Sequence, residues 1–431
     1  MPITILGLGP GDPDLLTRRA WRILSEADEV YLRTARHPNV ADLPIRALHS
    51  FDAWYDAAED FPTLYQRIAE EVLRLGQRPQ GVVYAVPGHP LVGEQTVTLI
   101  LQMARAQGVP VEIVDGLSFI EPLIGALGID ALDGIQLHDA ESIAHMHHPP
   151  LNPDVPALLA QLYSAAVASD VKLTLANQYP YTHEVILVHG AGTPSQRLER
   201  LPLYALDRQP VDHLTALFVP PLPAKGSFEY FQEIMAHLRS PEGCPWDRKQ
   251  THESLRPYLL EETYEVLEAL DSGDVELLKR ELGDLLLQIV FHAQIAVESD
   301  AFSMADVIAY VCQKLIRRHP HVWGDVRADD PQQVHANWDQ IKRQERAEEG
   351  RSEPPSALDG VPRSLPALAA AALIHERAAR VGFEWERLED VIAKVREELE
   401  ELVSATDSDH RREEFGDVLS SLVNLARWYQ I

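Results

Sequence analysis

Cysteine is nearly absent: Cys244 and Cys312 are the two in 431 residues. Two thiols cannot build a disulfide framework, and such sparing use points to a reducing compartment. Basic residues are also short in supply, 38 Lys and Arg against 66 Asp and Glu, for a net charge of −28. That field disfavours nucleic-acid backbones and anionic membranes, so no partner of either kind is expected. No apolar run reaches the roughly 18 residues of a membrane span. The opening "MPITILGLGPGDP" has no basic stretch and too short an apolar one for a signal peptide. These absences predict a soluble cytoplasmic protein. An acidic chain that handles phosphates would need metal cations or a confined group of Lys and Arg.

What is present divides the chain in two. Up to about residue 220, β-like runs alternate with helical spacing. Ile3–Leu8, Gly81–Val86, Val111–Val114, Val171–Leu175 and Val185–Val188 read as strands, and Leu15–Ala27 and Tyr65–Leu75 as helices. The alternation predicts an α/β domain over 1–222. "VPPLPAKGSF" (Val219–Phe228) reads as a linker. Beyond it helical periodicity dominates, and "ERAEEGRSEPPSALDGVPRSLP" (Glu345–Pro366) splits that half into 226–345 and 362–431. The expected architecture is an α/β domain followed by two all-α modules.

The helical modules share a signature. Glu261, Glu262 and Glu265 are followed by Glu281 and Asp284; Glu397, Glu398 and Glu401 are followed by Glu414 and Asp417. Both are EExxE then ExxD, each running into an apolar segment ("ELGDLLLQIV", "EFGDVLSSLV"), which reads as an internal duplication. Residues three or four apart share a helix face, so Glu262 and Glu265 point together, as do Glu281 and Asp284. The segment after Asp284 is apolar nearly all round, which predicts burial between other helices. Carboxylates gathered there must take up protons or hold a cation. All-oxygen ligands suit Mg²⁺ or Mn²⁺. One EExxE alone would read as a solvated acidic face; recurrence with ExxD argues otherwise. "CQKLIRRHPHVWG" then supplies Lys314 and Arg318, spaced to reach one phosphate chain or simply to end a helix in basic residues.

From Gly226 onward, "GSFEYFQEIMAHLRSPEGCPWDRKQTHESLRPYLLEETYEVLEAL", "ELGDLL", "KLIRRHPHVWGD", "NWDQIKRQERA", "GVPRSLPAL" and "VGFEWERL" resemble the MazG nucleoside triphosphate pyrophosphohydrolases. The resemblance implies an all-α fold, usually homodimeric, that hydrolyses nucleoside triphosphates to the monophosphate and pyrophosphate with Mg²⁺. On matching positions it implies that Glu262, Glu265, Glu281 and Asp284 ligate metal. Glu261 would orient a ligand or polarise the attacking water, and Lys314 and Arg318 would hold phosphates. Trp246 would stack on a base or pack structurally. Only 14 residues follow Asp417, so the second module reads as truncated, with Glu398, Glu401, Glu414 and Asp417 a weakened or structural set. The first module is expected to be the catalytic one.

The N-terminal "ITILGLGPGDPDLLT" runs from a strand through a Gly/Pro turn into a helix, but Asp12 replaces the third glycine of a dinucleotide fingerprint. With "YAVPGHPLVGEQTV", "DGLSFIEPLIGALG" and "VASDVKLTL", it resembles the tetrapyrrole (corrin/porphyrin) methylases, and the methylase-like domain fused to MazG in YabN-type proteins. That implies S-adenosylmethionine in a cleft between two α/β subdomains, touching the loops of Gly9, Pro10, Gly88, Pro90 and Ser118, and a small-molecule methyl acceptor. His89 stands where many methylases carry Asp. "HMHHPP" reads as a surface loop, both cysteines as packing residues, and Thr251 with Glu253 and Ser254 as a helix cap. Two other functions fit less of this pattern: a tetrapyrrole methyltransferase regulated by its MazG half, and a nucleotide sensor without turnover.

Overall fold

The computed structural model describes residues 3–328, 330–348, 356 and 358–431. The chain divides into two compact units, Met1–Ala301 and Phe302–Ile431. Part of the predicted break between the helical modules, residues 349–355 and 357, lies outside the described residues.

In the first unit, β1 (Ile3–Gly7) sends alternate side chains to opposite faces. Ile3 and Ile5 join Val82, Tyr84 and Val86 in one core, whereas Leu6 joins Ala85 in another. With β2 (Val30–Leu32), β3 (Leu48–Ser50), β4 (Val82–Val86) and β5 (Val111–Val114) it forms a parallel sheet of order β3-β2-β4-β1-β5. Parallel strands need cover on both faces. Ala20 and Leu24 of α1 (Arg18–Glu26) cover one. After the short α2 (Asp52–Asp56), α3 (Phe61–Gly76) and α4 (Gln95–Gln107) cover the other.

A second sheet carries β6 (Gln136–Asp139), β7 (Ala157–Ala160), β8 (Glu184–His189), β9 (Arg197–Pro202) and β10 (Thr215–Val219) in the order β6-β7-β10-β8-β9. It is parallel between β6 and β7 and antiparallel elsewhere. Leu123 of α5 (Ile120–Leu127) packs on one face; α6 (Ala140–Ala144) and α7 (Ala165–Leu175) pack on the other. Here one expectation fails: Val171–Leu175 is the end of α7, not a strand. Ser164 caps that helix, and Val167, Ala168, Val171, Thr174 and Leu175 bury at helical spacing.

The Pro-rich segment after β10 is tied down. Asp154 accepts from the Gly226 and Ser227 amides at 2.8 and 3.1 Å, and Ser227 then caps α8 (Phe228–Arg239). Next come α9 (His252–Ser272), opened by the expected cap in which Thr251 and Ser254 bond reciprocally, and α10 (Val275–Glu298). Met235, Leu255, Val290 and Phe291 form their shared core. The predicted burial of α10 holds on that face only, since Leu282, Leu286 and Ile289 remain exposed. Helices α8 and α9 are too few to surround it.

The second unit is helical: α11 (Met304–Arg318), α12 (Pro320–Trp323), α13 (Pro331–Glu348), α14 (Ala367–Arg380), α15 (Leu388–Ser404) and α16 (Ser408–Trp428). Helices α15 and α16 pack together, with α14 against α16.

Gly243 lets the chain fold back over the end of α8, where an added Cβ would overlap the carbonyl oxygens of His237 and Leu238. Gly283, by contrast, has open space around its Cβ position. Gly243→Ala is therefore expected to cost about 1–3 kcal/mol in urea unfolding. Gly283→Ala should be neutral or stabilising by up to about 1 kcal/mol.

Candidate functional site

Helices α9 and α10 deliver the first carboxylate set. Glu262 and Glu265 lie one turn apart on α9, and Glu281 reaches in from α10; one carboxylate oxygen from each lies within 4.8 Å of the others. Glu262 is pushed above the ordinary carboxylate range, first by burial, then by Asp284, Glu265 and Glu261. Asp284 thus acts on Glu262 electrostatically without belonging to the three-oxygen group. Among the described residues no His or Cys joins the group, so its donor chemistry is that of a hard divalent cation.

The second set repeats the geometry on α15 and α16: Glu398, Glu401 and Glu414 also bring oxygens within 4.8 Å. Its electrostatics differ. Lys394 reaches both Glu397 and Glu398 at 2.9 Å, and His410 Nε2 lies 3.0 Å from Glu414. Those carboxylates hold the Lys394 ammonium above its usual range. Tyr258 and Leu277 occupy the corresponding places in the first set, one turn before Glu262 and Glu281. The second set has an ammonium and an imidazole beside it; the first has an aromatic and an aliphatic side chain at those places.

Trp246 is half-exposed rather than buried, its ring edge-on to Tyr258 at 6.0 Å. Arg239, itself almost fully buried, grips Glu298 through two nitrogens and donates to the carbonyls of Asp247 and Gln250, fixing the loop that carries Trp246. His252 and His292 stack with Nδ1 atoms 2.8 Å apart, a pair no local pattern announces. In the second unit, Lys314 stands 5.4 Å over the Tyr310 ring, and Arg318 pairs with Glu345 of α13 at 2.7 Å.

In the first unit, the loops after β1, β4 and β5 converge at the carboxyl ends of the parallel strands, where open α/β sheets receive ligands. Gly9 and Gly88 exchange backbone hydrogen bonds at 3.2 and 2.8 Å, both with positive φ. A Cβ on Gly7 would sit 2.5 Å from the Gly88 oxygen, so only glycine permits this approach. Pro10 packs against Gly192 in the turn between β8 and β9, and Pro90 is buried. Ser118 is taken up locally, its amide and hydroxyl both donating to Glu121 at 2.8 and 2.6 Å. His89 Nδ1 accepts from the Leu91 amide, which leaves the proton on Nε2, 3.5 Å from Asp115. Sequence reading missed Arg33 and Glu94 on the same edge, an ion pair at 3.0 Å. Burial pushes Glu94 up to about 7 while Arg33 pulls it down. Its place just after "GHPLVG" is the signal that was available.

The family model of the MazG nucleotide pyrophosphohydrolase domain matches residues 250–323, and that of the Tetrapyrrole (Corrin/Porphyrin) Methylases matches residues 2–207. The protein YabN of Bacillus subtilis is 40% identical over 445 positions, covering 100% of this chain and 88% of its own. The nucleoside triphosphate pyrophosphohydrolase/pyrophosphatase MazG of Thermotoga maritima is 50% identical over 204 residues, 47% of this chain and 77% of its own. The nucleoside triphosphate pyrophosphohydrolase of Escherichia coli K12 is 49% identical over 200 residues, 45% of this chain and 75% of its own. The chain belongs to the YabN-type family, in which a tetrapyrrole methylase domain is joined to MazG helices.

The raised Glu262 carboxyl makes a pH prediction. A group whose folded pKa lies above its ordinary 4.5 stabilises the fold below that value and loses the contribution as pH rises through the folded pKa. In chelator, Glu262→Gln should therefore gain melting temperature over wild type as pH climbs from 4 to 8. Mg²⁺ at pH 8 should raise wild type and leave the variant unmoved.

Proposed function

We propose that this YabN-type chain hydrolyses nucleoside triphosphates to the monophosphate and pyrophosphate, using a divalent cation at the first carboxylate set. The observation that carries the reading is the cluster of Glu262, Glu265 and Glu281 oxygens within 4.8 Å, with burial and the neighbouring acids pushing Glu262 up. The donor set fits Mg²⁺ or Mn²⁺, held by Glu262, Glu265, Glu281 and Asp284. When bound, such an ion neutralises phosphate charge and lowers the pKa of water.

The chain's own residues supply the rest. Glu261 orients a metal ligand or the attacking water. Lys314 and Arg318 take the phosphate chain, and Trp246 offers an exposed ring to the base. Hydrolysis of this kind asks mainly for an aligned water and neutralised charge, and needs no nucleophilic side chain. The exposed apolar side chains of α10, Leu282, Leu286 and Ile289, suit a second copy of the chain as cover. In the N-terminal half, the glycine-lined loops of Gly9, Pro10, Gly88, Pro90 and Ser118 suit S-adenosylmethionine, with a small molecule as methyl acceptor. His89, committed to Leu91 and Asp115, distinguishes that site from methylases with Asp there.

Pyrophosphate release from a triphosphate panel tests the reading. Wild type should release it only with Mg²⁺ or Mn²⁺, Glu262→Gln should lose at least about 100-fold in kcat, and Glu398→Gln should stay near wild type. Loss in Glu398→Gln alone would move the chemistry to the second set.

A further inference from the structure

We propose that Glu345 is the positioning residue for Arg318, fixing its guanidinium side-on so that its remaining N–H groups face a phosphate. The inference rests on the reading above, in which Arg318 takes the phosphate chain. Its basis lies within the second unit. Arg318, at the end of α11, donates from Nε to Glu345 Oε1 at 3.3 Å and from Nη2 to Oε2 at 2.7 Å. Both bonds engage one edge of the planar fork. The two Nη1 hydrogens and the second Nη2 hydrogen stay on the other edge, the arrangement that grips a phosphate through parallel bonds.

Glu345 is an anchor rather than a placeholder that substrate displaces. It is only 8% exposed. A carboxylate so buried cannot release its cations without being left charged and dry, at a cost above that of holding them. Arg317, adjacent on α11, also reaches Glu345 Oε1, at 2.6 Å, so the carboxylate is held from two directions. The Arg318 pair in turn keeps Glu345 below the ordinary carboxylate range. An arginine otherwise loses rotamer freedom each time it meets substrate; here that ordering is complete beforehand.

A double-mutant cycle tests this through pyrophosphate release. Arg318→Ala and Glu345→Gln should each raise KM for the best triphosphate of the panel about tenfold. The value of kcat and the Mg²⁺ requirement should hold. The double variant should be no worse than Arg318→Ala alone, because Glu345 acts only through Arg318. A wild-type KM in Glu345→Gln beside an impaired Arg318→Ala overturns the proposal, and so do additive losses. A wild-type KM in Arg318→Ala overturns it too, and locates the fault in the phosphate reading rather than in the anchor. If melting shows Glu345→Gln unfolded, Glu345→Asp takes its place. With its shorter reach it should raise KM severalfold, and an unchanged KM counts against the anchor.

Discussion

Carboxylates held within a few ångströms of one another, partly out of water, are unfavourable unless something positive stands among them. The fold of α9 and α10 enforces that proximity: Glu262 and Glu265 are placed by helical pitch, and Glu281 by the packing of one helix on the other. The Met235, Leu255, Val290 and Phe291 core packs these helices together and so fixes the backbone positions from which the acids reach one another. Their repulsion is relieved by a proton or by a cation, and the function proposed above takes the second route.

The two carboxylate sets give an internal comparison. Both sets reach the same three-oxygen geometry, so backbone architecture alone does not separate them. What separates them is one residue on each helix, a turn before the acids. Lys394 pairs with Glu398 and His410 Nε2 stands beside Glu414 in the second set, where Tyr258 and Leu277 stand in the first. Burial, Glu414 and Glu398 push Glu401 above the ordinary carboxylate range while Lys394 pulls it down, so the second set has less to gain from a metal than one without that ammonium.

Much of this was legible in the sequence because it is local. Helical spacing put the carboxylates on common faces, and their recurrence identified the pairing of EExxE with ExxD. Alternation announced β1, β4, β5 and β8. The β-branched and apolar residues of Val171–Leu175 misled, since strand and buried helix end share that composition; the cap at Ser164 and the alanines after it decided for helix. Features joining distant residues were not legible. Arg318 meets Glu345 across 27 positions, Arg33 meets Glu94 across 61, and Asp154 holds Gly226 across 72. Each depends on how whole elements pack, and no local period encodes it. The glycine contacts at Gly7, Gly88 and Gly243 are of the same kind: the residue is visible, but what it approaches is not.

Direct titration with Mn²⁺, followed by the loss of the free-ion electron paramagnetic resonance signal, tests the central claim without requiring turnover. Wild type should bind the ion, Glu281→Gln should lose the tightest binding, and Glu414→Gln should retain it. Equal binding in wild type and Glu281→Gln, or loss in Glu414→Gln alone, would contradict the assignment of the metal to the first set.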